Sequence, residues 1–179
     1  MTKIISEEQT FYTENAFEVR KLELELPSGK KVTHYIAERV KTVSVFPLTD
    51  SYDLYLIYQY RYLLKKRILE AVAGRVEKNE NFIAAAKREL KEEAGITALQ
   101  WEQLSCIELA ASFFRAQTRL FLAKDLEVGI ANPEEDESIE IIKIPLDKAV
   151  QKVMNGEIET ASTIIGILSL DQLRREKKI

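Results

Sequence analysis

Cysteine and histidine each occur once in the 179 residues, as Cys106 and His34. A lone cysteine excludes an internal disulfide framework and a cysteine-rich metal site. A lone histidine excludes a multi-histidine zinc centre. The sequence also lacks the His-Glu-x-x-His pattern of zinc proteases and the Gly-x-Ser-x-Gly pattern of serine hydrolases. Cys106, in Leu104-Ser105-Cys106-Ile107, reads as strand core, and His34 as a partly exposed strand residue. No apolar run approaches membrane-spanning length. Residues 1–8 lack the apolar core of a secretion signal, so the cytoplasm is the expected location. Neither charge sign dominates: 26 basic residues face 29 acidic ones, for a net charge of -3. With no strong basic run, that balance argues against a nucleic-acid or membrane-surface protein. There is no internal repeat and no low-complexity linker.

Hydrophobic residues make up 46% of the chain, enough for one substantial core with a small appendage. Residues 17–26 and 31–39 read as strands joined through Pro27-Ser28-Gly29. With the first residues they form a small N-terminal sheet. Strands are also expected at 43–48 and 54–61, separated by an Asp50-Ser51-Tyr52-Asp53 turn. Tyrosine and β-branched residues favour both. A short strand in 65–73 leads into a loop at Gly74. The clearest helix covers 81–94, with Asn81 as its cap and Gly95 as its terminator. Strands at 99–108, 119–123 and 138–144 follow, with an acidic loop, Pro133-Glu134-Glu135-Asp136-Glu137, before the last. Helices are expected over 146–155, ending at Gly156, and over 162–178. Separated helices flanking strands predict an α+β or layered α/β/α domain.

One stretch carries chemistry. Gly74 is followed by Glu80, then by Arg88-Glu89-Leu90-Lys91-Glu92-Glu93-Ala94-Gly95-Ile96. Glu89, Glu92 and Glu93 stand at i, i+3 and i+4, so they share one helix face. Three like charges that close repel one another unless cations neutralise them. Hard divalent ions prefer carboxylate and water oxygens. They also orient water and neutralise phosphates, so the cluster suits metals bound against a diphosphate; the alternative is a solvated helix face compensated by Lys87, Arg88 and Lys91.

Residues 74–96 match every fixed position of the Nudix hydrolase signature, and the chain is identified by them as resembling that family. The resemblance implies a Nudix fold: an α/β/α sandwich with a mixed sheet, over residues 40–179, plus a small antiparallel N-terminal sheet in residues 1–39. In the family, the arginine at the position of Arg88 braces the glutamates. Those at Glu89, Glu92 and Glu93 hold or orient the catalytic metals, and Glu80 assists. The carbonyl of Ala73 is a frequent additional ligand. Mg²⁺ is the implied cofactor, with Mn²⁺ as the alternate.

The flanks refine the resemblance. Gln59-Tyr60-Arg61 and Leu69-Glu70-Ala71-Val72-Ala73-Gly74 resemble the corresponding segment of ADP-ribose pyrophosphatases and related nucleoside diphosphate sugar hydrolases. There Arg61 and Glu70 would belong to the substrate pocket. Equally, Arg61 reads as a strand-edge ion pair, and Glu70 as a partner for Arg67 or Arg75. A glutamate of the acidic loop would act as base or metal ligand. Position favours Glu137, then Glu135, without separating them. Between helix and acidic loop the chain has Ala111-Ser112-Phe113-Phe114-Arg115-Ala116-Gln117, where many ADP-ribose pyrophosphatases carry Ser-Pro-Gly. Ser112-Phe113-Phe114 instead resembles bacterial hydrolases active on a wider range of ADP compounds. Phe113 or Phe114 would stack on a base, or fill core. Arg115 would contact phosphate or ribose, or face solvent. The subfamily also implies a homodimer formed through residues 1–39.

The expected reaction is metal-dependent hydrolysis of the diphosphate linkage in ADP-ribose or a related nucleoside diphosphate sugar, giving a nucleoside monophosphate and a sugar phosphate. Alternatives are dinucleoside polyphosphates, NADH or nucleoside triphosphates as substrates, and a nucleotide sensor without catalysis.

Overall fold

The computed structural model describes residues 1–14, 16–110, 112–132 and 138–179. Glu135 and Glu137 lie outside these residues. In chain order the elements are β1 (Lys3–Thr13), β2 (Phe17–Glu25), β3 (Lys31–Arg39), β4 (Thr42–Pro47), β5 (Asp53–Arg61), β6 (Lys66–Glu70), β7 (Val72–Arg75), α1 (Phe82–Ala94), β8 (Ile96–Ala110), β9 (Phe114–Val128), β10 (Ile139–Pro145), α2 (Leu146–Met154) and α3 (Ala161–Arg175). They fall into two units. One joins residues 1–41 with 108–117, and the other joins 42–107 with 118–179.

The first unit is an antiparallel meander of β1, β2 and β3. Gly29, at φ 80°, closes the β2–β3 turn by donating its N–H to Leu26 O. Parallel pairing continues the sheet onto the first residues of β9, with Ala37 opposite Phe114 and Glu38 opposite Arg115. Leu22 and Leu24 are buried, whereas every residue of β1 is exposed. Register with β2 holds β1 in place, since Lys3-Ile4-Ile5-Ser6-Glu7-Glu8 has no alternation of its own.

In the second unit β4 runs antiparallel to β7 and parallel to β9, and β8 pairs with β9. This is the mixed sheet. A separate antiparallel sheet has the order β10-β5-β6. Period-two alternation distributes the side chains of both sheets between two cores. Val43, Val45, Ile57, Phe121 and Ala123 pack with Ala85, Ala86 and Leu90 of α1. The intervening Phe46, Leu54, Leu56, Leu120 and Leu122 pack with Leu146 and Ala149 of α2 and with Ile167 and Leu170 of α3. Strands near-continuously apolar are thereby covered on both faces, and the expected α+β sandwich is what forms. Among the described residues no helix is long and apolar enough to cross a membrane.

Four expectations are corrected. Residues 65–73 form not one strand but two, turning at Ala71 so that β6 pairs with β5 and β7 with β4. Gly74 is therefore a strand residue opposite Val43, not a loop glycine. Phe114–Val128 is one long strand, because ladder bonds to β3 and β4 carry it through the polar Gln117-Thr118-Arg119. Cys106 is exposed: β8 flanks the sheet beside β9, and Leu104 and Ile107, not Cys106, turn to the core.

Candidate active site

Helix α1 is fixed at both ends by local chemistry. Asn81, at φ -95° and ψ 161°, lets its side chain accept from Ala84 N at 2.9 Å, a cap that stabilises by about 1 kcal/mol. Gly95 ends the helix at φ 64°, a conformation glycine adopts without steric cost. Between them Ala85, Ala86, Leu90 and Ala94 face the sheet. The helical period then sets the carboxylates in graded environments. Glu93 is 2% exposed, the Glu89 side chain 13% and the Glu92 side chain 45%.

Arg88 is the hub. Its Nε and Nη2 donate to the two carboxylate oxygens of Glu80 at 3.1 and 3.0 Å. Its Nη1 donates to Glu89 at 2.8 Å and to Glu92 at 3.0 Å. Nη2 also reaches Arg75 O at 2.9 Å. One planar guanidinium thus ties helix, preceding turn and strand β7 together. The bond from Arg88 pulls the Glu80 carboxyl below its ordinary range against a smaller effect of burial. In return the Glu80 bond, with Glu89 and Glu92, holds Arg88 firmly protonated. Glu80 is itself set by the turn before α1, where it accepts from Glu77 N at 3.0 Å.

Two contacts bind the helix carboxylates to β7. Glu93 accepts from Ala73 N at 3.1 Å. Glu89 occupies the space a side chain at Gly74 would need: a Cβ there would lie 1.8 Å from Glu89 Oε1. The Glu89 contact needs a glycine, which the signature supplies at position 74, whereas the Glu93 bond comes from a backbone N–H that no residue type marks.

The donor set is chemically suited to a hard divalent ion. It consists of carboxylates Glu89, Glu92 and Glu93 and the adjacent backbone of Ala73, all of oxygen character. Three glutamates, Glu80, Glu89 and Glu92, surround the single positive charge of Arg88. Among the described residues no three acidic, histidine or cysteine groups converge as a ready metal cage. Glu89 and Glu92 are turned to Arg88 instead.

Arg61 and Glu70 meet, so the alternative partners Arg67 and Arg75 are not used. Arg61 Nε donates to Glu70 at 2.6 Å. Arg67 pairs with Glu140. Glu70 is 6% exposed, and burial pushes its carboxyl up, opposed by Arg61. With a raised folded-state pKa, the group favours folding while protonated. That contribution is present below the ordinary carboxylate range and lost as pH rises through the folded value. Arg61→Met is expected to raise the titration point of Glu70 further, followed by carboxyl carbon NMR. An unchanged value would mean that Arg61 does not stabilise the charged form.

Phe113, Phe114 and Arg115 belong to the first unit. Phe113 is 64% exposed, and its carbonyl accepts from Ala37 N at 2.8 Å. Phe114 lies 6.3 Å from the Phe17 ring in a tilted pair. Arg115 pairs with Glu38 at 3.4 Å, a contact that pairing of β3 with β9 creates and that sequence separation hid.

Comparison with known proteins agrees with this geometry. The NUDIX domain model matches residues 38–163. The chain is 32% identical over 180 residues to the methanol dehydrogenase activator of Bacillus methanolicus, covering 96% of this chain and 97% of the relative. It is 32% identical to the ADP-ribose pyrophosphatase of Bacillus subtilis (strain 168), covering 90% and 91%. A crystal structure of an ADP compounds hydrolase superposes with a TM-score of 0.85 over 99% of this chain and 97% of that one, at 22% identity, a likeness of fold. Signature, fold and relatives converge: the chain belongs to the Nudix hydrolases, in the group resembling ADP-ribose pyrophosphatases.

Proposed function

We propose that this enzyme hydrolyses the diphosphate linkage of ADP-ribose or a related nucleoside diphosphate sugar, using Mg²⁺, with Mn²⁺ as an alternate. The arrangement that carries the reading is the Arg88 hub, with Glu89 seated at Gly74 and Glu93 bound to Ala73 N. Glu89, Glu92, Glu93 and the Ala73 carbonyl are assigned as metal-holding groups, and Glu137 as a further one. When bound, a divalent ion neutralises the diphosphate and stabilises charge on the leaving phosphate. Arg88 orients Glu89 and Glu92. Arg61 and Glu70 bind substrate, Arg61 as a phosphate contact. Phe113, Phe114 and Arg115 are assigned to the nucleoside and its phosphates.

In the reaction a water oxygen bonds to one phosphorus as the bridging P–O bond breaks. The water proton passes to a carboxylate, assigned to Glu137 with Glu135 as the alternative, both outside the described residues. From ADP-ribose the products are AMP and ribose 5-phosphate. Positioning and electrostatics supply the acceleration.

Residues 1–39 are assigned to pairing of two copies. Support comes from the uncovered edge of β1, which exposes Ile4, Ile5, Phe11 and Tyr12 and leaves ladder groups available. The second reading keeps the same metal-holding carboxylates and takes NADH or a dinucleoside polyphosphate as substrate, since the same donor set suits any diphosphate linkage.

Product-resolved hydrolysis of ADP-ribose, ADP-sugars, GDP-sugars, NADH and dinucleoside polyphosphates, with Mg²⁺ and with chelator, tests both readings. AMP and ribose 5-phosphate, formed from ADP-ribose only with Mg²⁺, is the expected result. Preferred cleavage of NADH would move the substrate assignment to the second reading. Folded protein inactive on the whole panel would remove both.

A further inference from the structure

The chain leaving β9 crosses the C-terminal end of α1. Gly129 N donates to Gly95 O at 2.7 Å, and Asn132 N donates to Glu92 O at 2.9 Å. The last carbonyls of a helix have no partner within it, so these bonds satisfy groups the helix cannot. The approach is close. A Cβ on Gly95 would lie 2.5 Å from Ala131 N, 2.6 Å from Ile130 C and 3.0 Å from Gly129 O. Those are backbone atoms, which cannot swing aside as a side-chain end can. Gly95 thus has two separable properties: a left-handed φ that ends the helix, and an absent side chain that admits a neighbouring backbone. Gly29 and Gly156 share the left-handed φ, at 80° and 75°, and a Cβ on either would meet nothing within 4 Å.

We infer that Gly129–Asn132 is a strap that fixes the last turn of α1, and with it Glu92 and Glu93, and that Gly129, Asn132 and Gly95 are positioning residues for the metal-holding carboxylates. The strap holds the main chain of Glu92 itself, not its side chain, so it sets the carboxylate by setting its base. This inference rests on the proposed metal-holding role of Glu92 and Glu93.

Asparagine tolerates left-handed backbone, so Gly95→Asn keeps the helix-ending conformation and removes the clearance. Gly156→Asn is the matched control. Mn²⁺ binding without substrate, read by electron paramagnetic resonance well below the melting temperature, is the measurement. Gly95→Asn is expected to weaken Mn²⁺ binding at least about tenfold, the scale on which metal sites respond to loss of a supporting contact. Gly156→Asn is expected to leave it unchanged. Asn132→Pro, which removes the N–H donated to Glu92 O, provides the same readout if Gly95→Asn does not fold. Wild-type affinity in a folded Gly95→Asn or Asn132→Pro variant overturns the strap alone. A wild-type chain that binds no Mn²⁺ overturns the metal assignment, and the strap's role with it.

Discussion

Glu93→Gln is expected to lower turnover at least about a hundredfold while the protein stays folded, as loss of one preorganised charge-stabilising group does. The side chain is buried at 2% exposure on the sheet side of α1 and accepts from Ala73 N at 3.1 Å. Glutamine has nearly the same volume, and its carbonyl oxygen can keep that bond. What disappears is the negative charge. A purely structural Glu93 would show the reverse pattern, since removing a buried charge that is not used relieves desolvation. Steady-state kinetics alongside thermal unfolding separates the cases. Undiminished turnover, or a loss of turnover that only follows a loss of folded protein, removes the assigned role.

Gly74→Ala should produce the second large effect, by a different route. The added methyl would stand 1.8 Å from Glu89 Oε1 and 1.9 Å from its Cδ. Those atoms end a flexible side chain, so the fold yields by turning the carboxylate away. The φ of Gly74 is not positive, so alanine strains no backbone. Expected, therefore, is a near wild-type melting temperature with turnover reduced by about two orders of magnitude, comparable to removing a charge-stabilising group directly. The displaced carboxylate would also lose Arg88 Nη1, now at 2.8 Å. Gly74→Ala with full activity would mean that Glu89 does not work from its present seat.

What was legible in the sequence was what local chemistry decides. Asn81 and Gly95 mark the ends of α1 because a side-chain cap and a left-handed terminator act within one turn. The spacing of Glu89, Glu92 and Glu93 is a helical fact, whereas the brace from Arg88 to Glu89 and Glu92 was an expectation of the family resemblance, since period alone brings only Glu92, at i+4, beside it. Partners distant in sequence decided the rest. Nothing in Ile68-Leu69-Glu70-Ala71-Val72 says that its halves join different sheets. The pairing of Ile57 with Glu70 and of Val45 with Val72 decides it. The same holds for Cys106, whose exposure depends on which face of β8 is covered. Of the site, the meeting of Arg61 with Glu70 was not among the readings of the sequence, which offered Glu70 only Arg67 or Arg75, and it is seen only once β5 and β6 are paired.

Neither unit is contiguous along the chain. The first needs residues 108–117 to finish its sheet, and the second places β4 beside a strand whose matching residues begin at Thr118. A ribosome delivers residues in order, and parallel pairing over such separations is slow to form. Residues 1–96 thus contain the complete signature motif but lack the strand, β9, from which both units draw. Nascent chains stalled before Phe114 are expected to engage chaperones, and a split of the gene between the units would yield no self-sufficient half.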